Sequence, residues 1–117
     1  MAEAKAIAYY ARYAPRKVCI VLDQIRGKNV GEAIKILEFI PKRSRVLIQK
    51  TLNSAFNNLS NKLGRKLEPG EAWIESCLAN AGPVLKRMRP GSMGRAFPFK
   101  RKTVHLTIEV TDEKFKK

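Results

Sequence analysis

The chain has 117 residues, 24 Lys+Arg against 10 Asp+Glu, a formal charge of +14 and a pI near 10.3. That length fits one domain, and a 44% apolar share is enough for a core, so the charge does not mark a disordered chain. Both halves are basic, with 11 cations over 4 acids in residues 1–60 and 13 over 6 in residues 61–117, which predicts contact with a polyanion on several faces. Apolar runs such as Val18 to Leu22 are far too short to cross a bilayer, so no membrane partner is expected. The N-terminus, with Glu3 and Lys5 among alanines, has no hydrophobic signal core. Cys19 and Cys77 lie far apart without CxxC spacing and His105 is the single histidine, so no metal and no cofactor are expected. Both cysteines read as reduced thiols packed in the body.

Residues 2–10 read as a weak strand. Ile7 and Tyr9 share a face, but the alanines blur the pattern. Pro15 suits the first position of a helix, where its missing N–H does no harm, and Val18, Val21, Leu22 and Ile25 follow at helical spacing up to Gly27. Arg16 and Lys17 sit at the positive end of that helix, which costs a few tenths of a kcal/mol, roughly, unless an outside anion relieves it. Asn29 reads as the next N-cap, with Glu32 where a capping-box carboxylate belongs. Val30, Ala33, Ile34 and Leu37 form the stripe of this second helix. Pro41 ends it and is expected to open the third, with Lys42, Arg43 and Arg45 in the first turn. Ile48, Leu52, Ala55, Phe56, Leu59 and Leu63 then keep one face until Gly64. Asn53, Asn57, Asn58 and Asn61 mark the polar side, which suits either solvent or RNA.

After a polar loop at Pro69-Gly70, Trp73 to Asn80 reads as a strand with imperfect alternation. Thr103 to Val110 alternates cleanly, with Val104, Leu106, Ile108 and Val110 on one face. These strands should pair antiparallel at the base of a finger. Residues 112–117 form a short charged tail.

The segment between the strands is the most telling. No acid occurs between Glu75 and Glu109, while Lys86, Arg87, Arg89, Arg95, Lys100, Arg101 and Lys102 fall within seventeen residues. A compact domain cannot bury seven unpaired cations, so they face water or a polyanion. Arg89-Pro90-Gly91-Ser92 fits a type II turn. Pro98 on the return arm must point outward or sit at a bulge. An isolated two-stranded arm is marginal in water and should be mobile until something holds it. The expected fold is α+β: three helices on a small, mainly antiparallel sheet, one domain over residues 1–117, with a protruding basic β-hairpin over about 82–103.

The runs Tyr13-Ala14-Pro15-Arg16-Lys17, Ile25-Arg26-Gly27-Lys28 and Pro41-Lys42-Arg43 resemble the helical part of the bacterial-type large-subunit ribosomal protein twenty-two family. So do Gly82-Pro83, Leu85-Lys86-Arg87, Pro90, Gly94-Arg95-Ala96 and Lys102-Thr103-Val104-His105-Leu106-Thr107, in the right order over nearly the whole chain. The chain departs from that pattern at Ala79-Asn80-Ala81, where an acidic pair is common, at Gly91 and Met93, where the tip is often basic, and at Ala14 and Ile40, which replace capping Ser or Thr. The resemblance implies a monomeric, cytoplasmic constituent of the large subunit, next to other ribosomal proteins and bound to large-subunit ribosomal RNA of the 23S type. It implies a hairpin tip, Met88, Arg89, Pro90, Gly91, Ser92, Met93, Gly94 and Arg95, at the wall of the exit tunnel, in contact with the nascent polypeptide.

The residues themselves assign RNA contact to the seven arm cations and, in the body, to Arg12, Arg16, Lys17, Lys42, Arg43 and Arg45. Two other classes rank lower. A DNA-bending protein using Met93 or Phe97 as a wedge would need a recognition helix that is not evident. An enzyme would need a histidine–carboxylate–nucleophile grouping, whereas His105 sits in a strand between Thr103 and Thr107.

Overall fold

The computed structural model describes residues 3–64 and 66–112; beyond Asp112 the expected charged tail lies outside them, as do the side chains of Ser92 and Phe97. The order is β1 (Glu3–Ala11), α1 (Pro15–Ile25), α2 (Val30–Phe39), α3 (Arg45–Leu63), a short 3₁₀ turn, β2 (Trp73–Ala81), β3 (Leu85–Pro90), β4 (Ala96–Arg101) and β5 (Val104–Thr111). The architecture is α+β. Strands β1, β5 and β2 form an antiparallel sheet in that order, and β3 and β4 form a separate two-stranded ladder. Helix α3 lies over β1 and β5, α1 lies against β2, and α2 packs on both helices.

Strand β5 is central because its alternation is the cleanest. Val104, Leu106, Ile108 and Val110 are fully buried beneath the helices, while His105, Thr107 and Glu109 are half-buried on the outer face. In β1 the alanines make the core face: Ala4, Ala6 and Ala8 pair with Val110, Ile108 and Leu106. Small side chains let α3 approach the strand closely, so the residues that blurred the pattern are the ones that pack. The imperfect alternation of β2 has a physical cause in a bulge between Ile74 and Ser76.

Each helix buries most of the stripe its spacing predicts, with Ile34, Phe56 and Leu63 half-buried at its edges. Helix α1 covers Val18, Val21, Leu22 and Ile25. Helix α2 buries Val30, Ala33 and Leu37, with Asn29 Oδ1 accepting the Gly31 N–H at 2.8 Å as its cap. Helix α3 buries Ile48, Leu52, Ala55 and Leu59, and Gly64 ends it in the left-handed conformation at φ 71°. One boundary differs. Pro41 does not open α3; the helix starts at Arg45, and Lys42 and Arg43 lie in the connection. The Arg45 guanidinium explains the corner: it donates to the carbonyl oxygens of Glu38 at 2.8 Å and Leu37 at 3.5 Å, satisfying the end of α2.

The arm leaves the body through a tight collar. The Gly82 N–H donates to the Thr103 carbonyl at 3.0 Å, and the buried Thr103 hydroxyl donates to the Pro83 carbonyl. A Cβ on Gly82 would stand 2.6 Å from Thr103 Oγ1 and 3.1 Å from His105 Nε2, so only glycine fits there. The turn at the far end differs from the expected type II turn. Pro90 pairs with Ala96, and the loop spans 91–95, closed by the Gly91 N–H donating to the Arg95 carbonyl. The left-handed residues are Met93 at φ 59° and Gly94 at φ 73°, not Gly91. The reason is twist: a two-residue type II turn would splay the strands, whereas a longer loop with left-handed residues follows them. Counted from the Gly91–Arg95 bond, ladder pairs alternate. Pro90–Ala96 and Met88–Pro98 then fall where N–H groups point away from the partner strand, so neither proline removes a ladder bond.

The molecule measures 62 × 26 × 26 Å, with a radius of gyration of 17.2 Å. A compact chain of this length would have about 13 Å. The arm accounts for the excess, and among the described side chains none of the fully buried ones belongs to it. Removing residues 86–101 and joining the stubs with a short turn is therefore expected to leave cooperative thermal unfolding in place. A broad, non-cooperative melt of the shortened protein would show that the arm belongs to the core.

Candidate nucleic-acid interface

Three connections distant in sequence meet where the arm leaves the body. They are the β1–α1 link, the α2–α3 link and the β4–β5 link. Together they line a groove of about 1000 Å³ that carries Arg12, Lys17, Lys42, Arg43, Arg101 and Lys102. Among the described residues no acidic one lines it. Tyr13, Ala14, Ile20 and Pro41 give it an apolar floor. All six cations are exposed, so holding them there carries little desolvation penalty. Two helix N-termini add to the positive potential. The cap of α1, Ala14, has no polar side chain, and Ser44 at the start of α3 makes no side-chain cap bond; both residues line the groove. Backbone N–H groups at such ends favour anions. The groove is thus concave and positively charged along its described lining.

The other cations singled out in the sequence fall in different places. Arg16 is exposed on the first turn of α1 but does not line the groove. Arg45 is half-buried and holds the α2–α3 corner. Lys86, Arg87, Arg89 and Lys100 stand exposed along the shaft, and Arg95 is exposed just past the tip turn. Lys86 lies directly opposite Lys100 in the ladder. Like charges so placed destabilise a two-stranded arm unless an anion screens them. At the tip, Met88 is 64% and Met93 95% exposed, an apolar end to a basic shaft. Of the α3 asparagines, Asn58 ties the helix to β1, its amide donating to the Lys5 carbonyl at 3.0 Å.

Residues 6–111 match the family model described as ribosomal protein L22p/L17e. The chain belongs to this ribosomal protein family. It is similar to the large ribosomal subunit protein uL22 of Clostridium tetani, 46% identical over 110 residues that cover 94% of this chain and 97% of that one. It is likewise similar to the protein of that name from Streptococcus pyogenes, 43% identical over 113 residues that cover 97% of each. As a member of this family the chain is a large-subunit ribosomal protein with a part in translation, and not an enzyme. Among the described residues no helix is long and apolar enough to cross a membrane.

In this ribosomal protein the charge is segregated. The arm and the groove occupy one end of the sheet, while Glu3, Glu75 and Glu109 gather toward the other, where Glu3 pairs with Thr111. Burial pushes the Glu75 carboxyl up from its ordinary value, and Glu3 and Glu109 push the same way. The cysteines are both free, and Cys77 is buried beneath α1, where burial raises its thiol. Sequence reading missed one cluster at the arm's root. Tyr9 and Tyr10 are exposed and pack on the half-buried ring of His105. The signal was the adjacent tyrosine pair at the end of a strand, where alternation alone assigns the two rings to opposite faces.

Proposed function

We propose that this chain is a structural constituent of the large ribosomal subunit that binds 23S-type ribosomal RNA through the groove and the arm. It supports subunit assembly and places the arm's tip at the wall of the nascent-peptide exit tunnel. One observation carries the reading: Arg12, Lys17, Lys42, Arg43, Arg101 and Lys102, drawn from three separate segments, line one groove at the root of a basic arm, with no acid among its described lining residues. A phosphate backbone laid in that groove continues onto Lys86, Arg87, Arg89, Arg95 and Lys100. Lysine and arginine neutralise phosphates and release counterions, so affinity is electrostatic and recognition follows RNA shape. The chain acts as one unit over 1–117, as a monomer among neighbouring ribosomal proteins. Arg16 adds a phosphate contact beside the groove, and Arg45 acts through the corner it holds.

The tip, Met88 to Arg95, suits a lumen rather than a phosphate wall. Its turn presents Gly91, Ser92, Met93 and Gly94 instead of cations, and Met93 is 95% exposed. A photo-crosslinker at Met93 in assembled ribosomes is expected to capture stalled nascent peptides, and one at Ile48 in the core is not. Crosslinks from Met93 to RNA and proteins only, across several stalled peptides, would count against the tunnel placement.

A further inference from the structure

We propose that Tyr9 and Tyr10, propped by His105, form a stacking platform for an unpaired nucleobase next to the basic groove. This rests on the ribosomal RNA reading above and adds a base contact to it. In a regular strand, consecutive side chains point to opposite faces. Here β1 shifts register between Ala8 and Ala11, and Tyr10 adopts φ 55°. A left-handed backbone at a bulky residue is strained and persists only where its surroundings enforce it. The enforcing contact is the Tyr10 N–H, which donates to His105 Nδ1 at 3.1 Å. The irregularity brings both tyrosines against the same His105 ring on the outer face of the sheet.

The ring geometry leaves room for a ligand. The Tyr9 and Tyr10 centroids lie 5.5 and 4.8 Å from that of His105, with interplanar angles of 66° and 85°. The two tyrosine rings are 6.4 Å apart and tilted by 40°. Each contact is edge-on or tilted, so the neighbours support the rings without stacking over them. Tyr9 remains 65% and Tyr10 64% exposed. The core is not served by two exposed aromatic rings on a strained backbone.

The surroundings select a nucleobase over an apolar peptide. Tyr10 is two residues from Arg12 and His105 is three from Lys102, and both cations line the groove. The nearest acid along β5, Glu109, is about 13 Å from His105, at roughly 3.3 Å per residue. An RNA strand whose phosphates occupy the groove therefore passes beside the rings, and unpaired bases stack on such rings whatever their identity.

The test compares oligoadenylate of about 12 nucleotides with an abasic ribose–phosphate strand of equal length, bound to the full chain. The wild-type protein is expected to prefer the base-bearing strand. Tyr9→Leu/Tyr10→Leu is expected to lose about fivefold or more of that preference, and Tyr9→Phe/Tyr10→Phe to keep it, with one salt slope for all three. Tyr9→Leu alone, which leaves the strained position untouched, should give a partial loss and guards against a folding defect. An equal preference in wild type and the leucine variants, alongside intact binding to ribosomal RNA, overturns the platform and leaves the ribosomal RNA reading standing. No binding to either strand or to ribosomal RNA overturns both. Unchanged oligonucleotide preference with reduced incorporation into subunits would assign the tyrosines to a protein neighbour and also overturn the platform.

Discussion

Replacing Arg12, Lys42 and Lys102 together by alanine is expected to weaken binding to large-subunit ribosomal RNA about 100-fold at about 0.1 M salt. The three residues come from the three segments that meet in the groove, one from each. Each lost phosphate contact removes about 0.7 to 0.9 from the slope of log affinity against log salt, and the counterion contribution vanishes near 1 M. With about six to eight phosphates neutralised, the wild-type slope should be near −5 or steeper, and the triple variant should be shallower by about two to three. The two affinity lines should converge toward high salt. All three side chains are exposed, so stability should change by no more than about 0.5 kcal/mol. The matching control removes three exposed cations outside the groove, Lys35, Lys50 and Lys66. Equal losses in the two variants would show that total charge matters and that the groove does not.

Leu52→Ala should cost about 2–5 kcal/mol of folding stability, since it deletes a large side chain from the interior and leaves a cavity. Leu52 is fully buried in α3, the helix that lies over β1 and β5. For a chain of this size the melting temperature should fall by about 10 °C or more. Binding of the folded fraction to RNA at low temperature should be unchanged, because Leu52 does not line the groove. A loss of less than about 1 kcal/mol would mean that the helix–sheet interface collapses around the gap. It would then not be the close-packed core described above.

Each part of the molecule carried a different amount of its structure in the sequence. Helical stripes at Val18–Ile25 and Ile48–Leu59 and the alternation of Val104–Val110 were plain, because burial against one neighbour imposes a period on the residues themselves. The arm was plain for the opposite reason: seven cations without an acid have no place in a core. The tip turn was not legible. Arg89-Pro90-Gly91-Ser92 has the composition of a two-residue turn, but strand twist and the Pro90–Ala96 pairing decide the loop. Nor was the start of α3, where Arg45 reaches back to carbonyls of a different helix.

The sequence by itself determined the fold class, the core faces of the helices and of β5, the basic arm and the identity of most cations in the candidate interface. Those properties are local, or follow from period and charge. Only the tertiary structure decided which cations stand together. Arg12, Lys42 and Lys102 are separated by tens of residues and meet because α1, α2 and β5 pack around one core. It also placed Tyr9 and Tyr10 side by side against His105, through a register shift and a hydrogen bond from the Tyr10 N–H to the His105 imidazole, 95 residues away, that no single-strand pattern encodes. Contacts of that kind depend on where elements come to rest against each other, and one strand's periodicity holds no record of that.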